Sequence, residues 1–94
     1  MFIVRETFTA KPGMASKLAS LFKEVMSHEP RMKARVMTDA VGAFNTVVLE
    51  TEVAEFAEFD RIMKEYSEKN EIRDRLKGYT DLWVKGRREI YKVV

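Results

Sequence analysis

The order of two hydrophobic periodicities constrains the fold of this chain most. Apolar residues alternate along residues 2–9, 32–39, 44–51 and 87–94, and they recur at helical spacing along residues 14–27 and 54–66. In chain order these segments predict strand, helix, strand, strand, helix, strand. The predicted fold class is therefore α+β: a ferredoxin-like β-α-β-β-α-β domain with a four-stranded antiparallel sheet and its helices on one face.

The first predicted helix has a continuous apolar stripe and a clear end. Its stripe comprises Met14, Leu18, Leu21, Phe22, Val25 and Met26. We expect the helix to end at His28–Pro30, because the residue before a proline disfavours helical backbone. In the second helical region the phase of the apolar stripe slips near residues 67–70. A second stripe through Ile72, Leu76, Tyr79 and Trp83 then predicts a break and a further short helix that ends near Gly78 or beyond.

Length and charge exclude several classes of protein. Ninety-four residues are enough for a single domain, residues 1–94. The net charge of +2 is too small for a strong nucleic-acid-binding field, and the sequence lacks cysteine and has one histidine, so thiolate and polyhistidine metal sites are excluded. The start of the sequence is unlike a signal peptide, and no apolar run is long enough to span a membrane. We expect a cytoplasmic protein with no nucleic-acid or membrane partner.

The predicted sheet has a second face that needs a partner. Residues 44–51 are apolar on both sides of the strand, which predicts a central strand, whereas the charges of residues 32–39 predict an edge. With both helices on one face, the other face is expected to expose apolar side chains. An exposed apolar patch is typical of an interaction surface, so a homodimer paired sheet to sheet is predicted.

Two stretches support a family resemblance. The turn Lys11–Met14, which opens an amphipathic helix, the ending Gly86–Tyr91, and the order of elements resemble the dimeric α+β barrel superfamily. That superfamily includes antibiotic-biosynthesis monooxygenase-like, NIPSNAP-like and stress-responsive A/B barrel proteins. The resemblance covers the whole chain and implies a dimer, in many members with an apolar pocket between sheet and helices. The asparagine, histidine and tryptophan of the haem-degrading members have no matching set here.

Two residues are candidate catalytic groups. Glu6 interrupts an apolar strand face between Val4 and Phe8, where a carboxylate is costly unless it is paired or protonated. Its alternative role is an ion pair with Arg35, Arg87 or Arg88, and Glu50 raises the same two possibilities. His28 is a candidate general base, or alternatively a favourable charge at a helix C-terminus.

Four residues are candidate ligand contacts. Tyr66, Tyr79 and Trp83 lie on apolar stripes and offer hydroxyl or indole N–H donors to a flat aromatic ligand, and Arg35 is a cation behind them. Packing in the core or at a dimer interface is the alternative for each aromatic residue. The leading hypothesis is a small-molecule-binding dimer, with cofactor-independent monooxygenase chemistry on an aromatic or quinone-like compound as its sharper form. The alternative is a non-catalytic ligand-sensing or oligomerisation module.

Overall fold

A computed structural model describes all 94 residues. It has four strands, three α-helices and one 3₁₀ turn. In chain order they are β1 (Phe2–Ala10), α1 (Ala15–Ser27), β2 (Lys33–Thr38), β3 (Thr46–Val53), α2 (Phe56–Ser67), α3 (Asn70–Leu76), the 3₁₀ turn (Tyr79–Leu82) and β4 (Trp83–Lys92). The predicted break in the second helical region is confirmed, with α3 as the further short helix.

The sheet has the strand order β2-β3-β1-β4, and all three strand pairs are antiparallel. This is the ferredoxin-like arrangement that the sequence predicts. β1 and β3 are central, whereas β2 and β4 are the two edges. Since the pairing fixes which residues lie side by side across the sheet, it also decides which side chains can form a site.

The helices cover one face of the sheet. Val4 packs with Phe59 and Ile62 of α2, while Phe8 packs with Leu18 and Phe22 of α1. A third cluster of Val25, Tyr66 and Ile72 joins α1, α2 and α3. Because side chains alternate along a strand, the neighbours of these strand residues point to the opposite face.

The face opposite the helices, called the bare face below, is more polar than expected. β1 places Ile3, Arg5, Thr7 and Thr9 there, and β3 places Thr46, Val48, Glu50 and Glu52 there. The expected apolar patch is reduced to scattered residues, since Met37 of β2 and Tyr91 of β4 lie on this face among charged and hydroxyl side chains. The apolar sets of both central strands are directed at the helices, which leaves charged and hydroxyl side chains beside half-buried Ile3 and Val48.

Two strands begin two or more residues away from their predicted starts. β4 begins at Trp83 rather than residue 87, because its pairing with β1 continues through an irregularity at Thr9/Ala10. Trp83 thus belongs to a strand and not to a helical stripe. β3 begins at Thr46 rather than residue 44, because Asn45 has a left-handed backbone (φ 65°) and Phe44 is 85% exposed in the preceding loop.

Candidate functional site

The helix side of β4 is the part of the core face that the helices leave open. α1 and α2 lie over β1, β2 and β3, and no helix packs extensively against β4. Ile90 of β4 is accordingly 40% exposed, although it pairs with fully buried Val4, and Phe56 at the start of α2 is 50% exposed. We call the exposed surface of β4 beside α2, around Arg88 and Ile90, the β4 trough.

An acid–base pair lies in the β4 trough. Glu6 and Arg88 are direct cross-strand neighbours, and the Arg88 guanidinium donates from Nη2 to Glu6 Oε2 at 3.1 Å. The Glu6 side chain is 18% exposed and that of Arg88 is 53% exposed. Glu6 therefore forms an ion pair, which was its alternative role in the sequence analysis. Its partner is Arg88, one of the three arginines considered there.

Aromatic rings flank this pair on the α2 side. The Arg88 guanidinium lies 5.8 Å from the ring centroid of Phe59, within the range of a cation–π contact. The Phe59 and Phe56 centroids are 6.3 Å apart. Arg88 makes one side-chain hydrogen bond, so its other N–H groups remain available as donors. Phe59 itself is buried, so the trough combines a carboxylate, a cation and the half-exposed ring of Phe56.

A second aromatic group lies farther along the same face. Tyr79 and Trp83 have ring centroids 6.2 Å apart, and Trp83 lies 5.2 Å from Phe8, which in turn lies 4.9 Å from Phe22. The Trp83 indole Nε1 is buried and has no hydrogen-bond partner. Phe8 is two residues from Glu6 on the same strand face, so this group adjoins the trough.

The other sequence candidates lie apart from the trough. Tyr66 is buried in the third core cluster, and burial, with Glu29 and Glu71 contributing, raises the pKa of Tyr66 to about 12. His28 is exposed at the end of α1, where its backbone N–H donates to Val25. Arg35 lies on the bare face. Of the six candidates, only Tyr79 and Trp83 contact each other.

Arg35 belongs to a row of alternating charges on the bare face. Arg35, Glu50, Arg5 and Glu89 are successive cross-strand neighbours from β2 to β4. Glu50 accepts from Arg35 Nη2 at 2.6 Å and from Arg5 Nε at 2.9 Å, which shields it to 7% exposure. The hydrogen bond from Arg35, with Arg5 contributing, holds the pKa of Glu50 below its usual value.

A buried carboxylate also ties the end of α1 to α2. Glu29 is 2% exposed, and Arg31 donates to its two oxygens from Nε at 2.7 Å and Nη2 at 2.8 Å. The remaining Nη1 of Arg31 reaches Glu65 of α2 at 2.6 Å. The Arg31 hydrogen bond lowers the pKa of Glu29. Glu29 and Glu50 are therefore structural residues, because the oxygens of each carboxylate are bonded to arginine.

These two lowered pKa values predict acid destabilisation. A carboxylate whose folded-state pKa is depressed stabilises the fold above its unfolded pKa of about 4.3, and that stability is lost as the pH falls through the folded-state pKa. We expect urea unfolding to show stability that is constant above about pH 6 and falls below about pH 5.

Glu50→Gln tests the assignment. It should cost about 1 kcal/mol at pH 7 and reduce the acid dependence, because a neutral amide does not titrate. Glu52→Gln is the matched control, since Glu52 on the same strand face lies 3.9 Å from its Lys33 partner. An equal reduction of the acid dependence in both variants would contradict the role assigned to Glu50.

Sequence reasoning identified Arg88 only in part. Arg88 was expected as one of three possible partners of Glu6, and no expectation placed it beside Phe59 of α2. The alternation of residues 87–94 places Arg88 on one strand face, but its pairing with Glu6 depends on the β1–β4 register, which cannot be read from one sequence.

No three His, Asp or Glu side chains converge to form a metal site. No helix is long and apolar enough to cross a membrane.

Comparison with known proteins gives structural but no sequence matches. No protein-family model matches the chain, and no curated protein matches it. Among solved structures, a NIPSNAP domain protein from Burkholderia xenovorans superposes with a TM-score of 0.85 at 9% identity, covering 100% of this chain and 95% of that one. A NIPSNAP family protein from Agrobacterium tumefaciens gives 0.84 at 16% identity, covering 99% and 87%.

An antibiotic biosynthesis monooxygenase also superposes over the whole chain. Its TM-score is 0.73 at 13% identity, with coverage of 100% of this chain and 99% of that one. Identities this low establish the fold, and they leave activity open. The superfamily resemblance is thus confirmed at the level of architecture: the chain has the ferredoxin-like α+β fold of NIPSNAP and antibiotic-biosynthesis monooxygenase-like proteins.

Proposed function

We propose that the protein binds a small phenolic or quinone-like aromatic compound in the β4 trough. The observation that carries this proposal is the Glu6–Arg88 pair, which lies on the core face of the sheet beside the aromatic rings of α2 and in which the Arg88 side chain is 53% exposed. A pair that served only to stabilise the fold would not need free N–H donors and open apolar surface next to it. A flat ring packed against half-exposed Phe56, with its oxygen at Arg88, would use all three features.

The same groups support the first step of a cofactor-independent monooxygenation. Glu6 would accept the proton of a phenol hydroxyl, and Arg88 would stabilise the phenolate formed. The electron-rich ring would then react with dioxygen. One oxygen atom becomes the new carbonyl of a quinone, and the other leaves as water with the phenol proton and the displaced ring hydrogen, so that phenol and dioxygen give quinone and water. This chemistry needs no bound cofactor, because the four-electron oxidation of the phenol to the quinone supplies all four electrons that dioxygen takes up.

We further propose that two copies pair through their bare faces. A sheet covered by helices on one side leaves a thin slab, with Cα extents of 36 × 35 × 18 Å, and small domains gain stability when such a face is covered. Tyr91, which is 44% exposed on this face, and half-buried Ile3 and Val48 would supply apolar contact. Sedimentation equilibrium tests the pairing: a mass of twice 11.0 kDa supports it, and a monomer at hundred-micromolar concentration contradicts it.

The fluorescence of Trp83 gives a direct binding assay, because Trp83 is the single tryptophan in the chain and adjoins the trough. We expect phenols and hydroquinones to change this fluorescence saturably. Glu6→Gln and Arg88→Met should each weaken binding at least about tenfold, the loss of about one charged contact. Glu52→Gln and Arg61→Met are the controls, since both residues lie outside the trough and have exposed ion-pair partners.

Oxygen uptake and incorporation of labelled oxygen into the product then separate catalysis from binding. Turnover that Glu6→Gln abolishes supports the monooxygenase form of the proposal. Binding without oxygen uptake supports the ligand-sensing module, for which the existing ion pair of Glu6 with Arg88 is the favouring observation. Equal losses in the trough variants and the controls would contradict the assignment of the site.

A further inference from the structure

The bare face carries a second cluster of polar side chains, at the end of the sheet beside the β2–β3 loop. A depression of about 460 Å³ there is lined by Thr7, Thr9, Ala43, Thr46, Lys85, Gly86 and Arg87. No carboxylate lines it. We propose that this depression binds the phosphate group of a small phosphate monoester.

The strand register assembles the cluster. Thr46, Thr9 and Lys85 are successive cross-strand neighbours on β3, β1 and β4, while Thr7 and Arg87 form the next row. Direct cross-strand neighbours have Cβ atoms about 5 Å apart, so these side chains crowd one patch of the sheet. β1 and β3 are the central strands, which makes this a rigid platform compared with a loop.

Positive charge at this end of the sheet is not neutralised within the chain. Lys85 forms no ion pair, and Arg87 has a single carboxylate neighbour, Glu89 Oε1 at 3.3 Å from its Nε. The two terminal nitrogens of Arg87 are therefore free. The other bare-face arginines, Arg5 and Arg35, are both bonded to Glu50. Although the net charge of the chain is small, the uncompensated cations lie at one place on this face.

The available donors fit a phosphate monoester better than a carboxylate. Such a group carries a charge of about −1.5 to −2 at pH 7 and three terminal acceptor oxygens, which match two cations and a set of hydroxyls. The hydroxyls of Thr7 and Thr9 have no partner within the chain, whereas that of Thr46 donates to the Ala43 carbonyl oxygen at 2.8 Å. Free Arg87 nitrogens offer bidentate geometry, and the depression is within the size range of small-molecule sites, leaving room for the esterified group.

This site is independent of the β4 trough, because it lies on the opposite face of the sheet. In a dimer paired through the bare face, the depression would lie between the two sheets. A bound phosphate dianion would then neutralise Lys85 and Arg87, whose charges dimerisation would bury.

An amide-resolved NMR titration with inorganic phosphate and with glycerol 3-phosphate tests the proposal. Sodium chloride at matched ionic strength corrects for screening. We expect saturable shifts confined to the amides of residues 7, 9, 46 and 85–87. Lys85→Gln should weaken binding at least about tenfold, and Thr9→Val, which removes one hydroxyl at constant shape, about fivefold. Lys33→Gln is the matched control, because Lys33 lies on the same face at the other end of the sheet and should bind phosphate like the wild type.

Three outcomes would overturn the proposal. Shifts that are spread over the surface, or that chloride reproduces, would leave no specific site. An equal loss in Lys33→Gln and Lys85→Gln would leave only general electrostatic attraction. The third outcome is that the protein sediments with phosphatidylcholine vesicles containing phosphatidic acid while glycerol 3-phosphate causes no saturable amide shifts. The depression would then bind a membrane surface instead of a soluble ligand.

Discussion

Leu18→Ala should lower the free energy of unfolding by about 2–5 kcal/mol. Leu18 is fully buried in the cluster that joins α1 to β1 and β3, together with Phe8, Phe22 and Val47. Removing its methyl groups loses their transfer free energy and leaves a cavity into which the packed core relaxes only partly. Urea denaturation followed by far-ultraviolet circular dichroism measures the loss as a lower midpoint at an unchanged slope.

Ile90→Ala is the matched control for Leu18→Ala. Ile90 faces the same side of the sheet but is 40% exposed in the β4 trough, so its truncation should cost less than about 1 kcal/mol. A loss as large as that of Leu18→Ala would mean that β4 is covered on its helix side, and would contradict the open trough. A loss below about 1 kcal/mol for Leu18→Ala would contradict the assigned core.

Gly86→Val should destabilise the protein by about 1–3 kcal/mol, because it overpacks the core beside an aromatic ring. A Cβ atom at Gly86 would lie 3.0 Å from Phe8 Cδ1 and 3.5 Å from Trp83 Cζ3. The Phe8 ring cannot yield easily, since Phe22 packs against it at a centroid distance of 4.9 Å. Thermal unfolding gives the stability, and near-ultraviolet dichroism reports the altered packing of Trp83.

A double-mutant cycle identifies the ring responsible. With the smaller leucine at residue 8, the added valine should cost much less than in the wild-type background, which gives a coupling energy between positions 8 and 86. Equal costs of Gly86→Val in both backgrounds would exclude Phe8 as the obstacle. The effect would then originate in the β4 backbone.

Most of the architecture was predictable because each element has its own periodicity. The apolar stripe of α1 and the apolar residues of β3 gave the correct element types and a central position for β3. The starts of β3 and β4 were not predictable. They depend on the left-handed Asn45 and on the irregular β1–β4 pairing, which are tertiary facts that local pattern does not record.

The candidate site was predictable only in part. Glu6 was singled out correctly as a carboxylate that needs a partner on an apolar face. That Arg88 provides this partner, and that Arg35 turns to the other face, follows from a register in which a shift of one residue exchanges the two faces. The aromatic candidates separated because Tyr66 packs between helices, whereas Tyr79 and Trp83 follow α3 into the sheet.

The position of β4 beside β1 has a consequence for how the chain folds. Phe2 pairs with Lys92, and the Val93 amide donates to the Met1 carbonyl oxygen, so the first central strand is completed by residues that follow it by about ninety positions in the sequence. Until residues 83–92 have left the ribosome, β1 presents an unpaired edge to other nascent chains. Contacts between residues so distant in sequence slow folding, because the chain must close a long loop before they form. Folding on the ribosome should therefore finish late, with the docking of β4 as its last step.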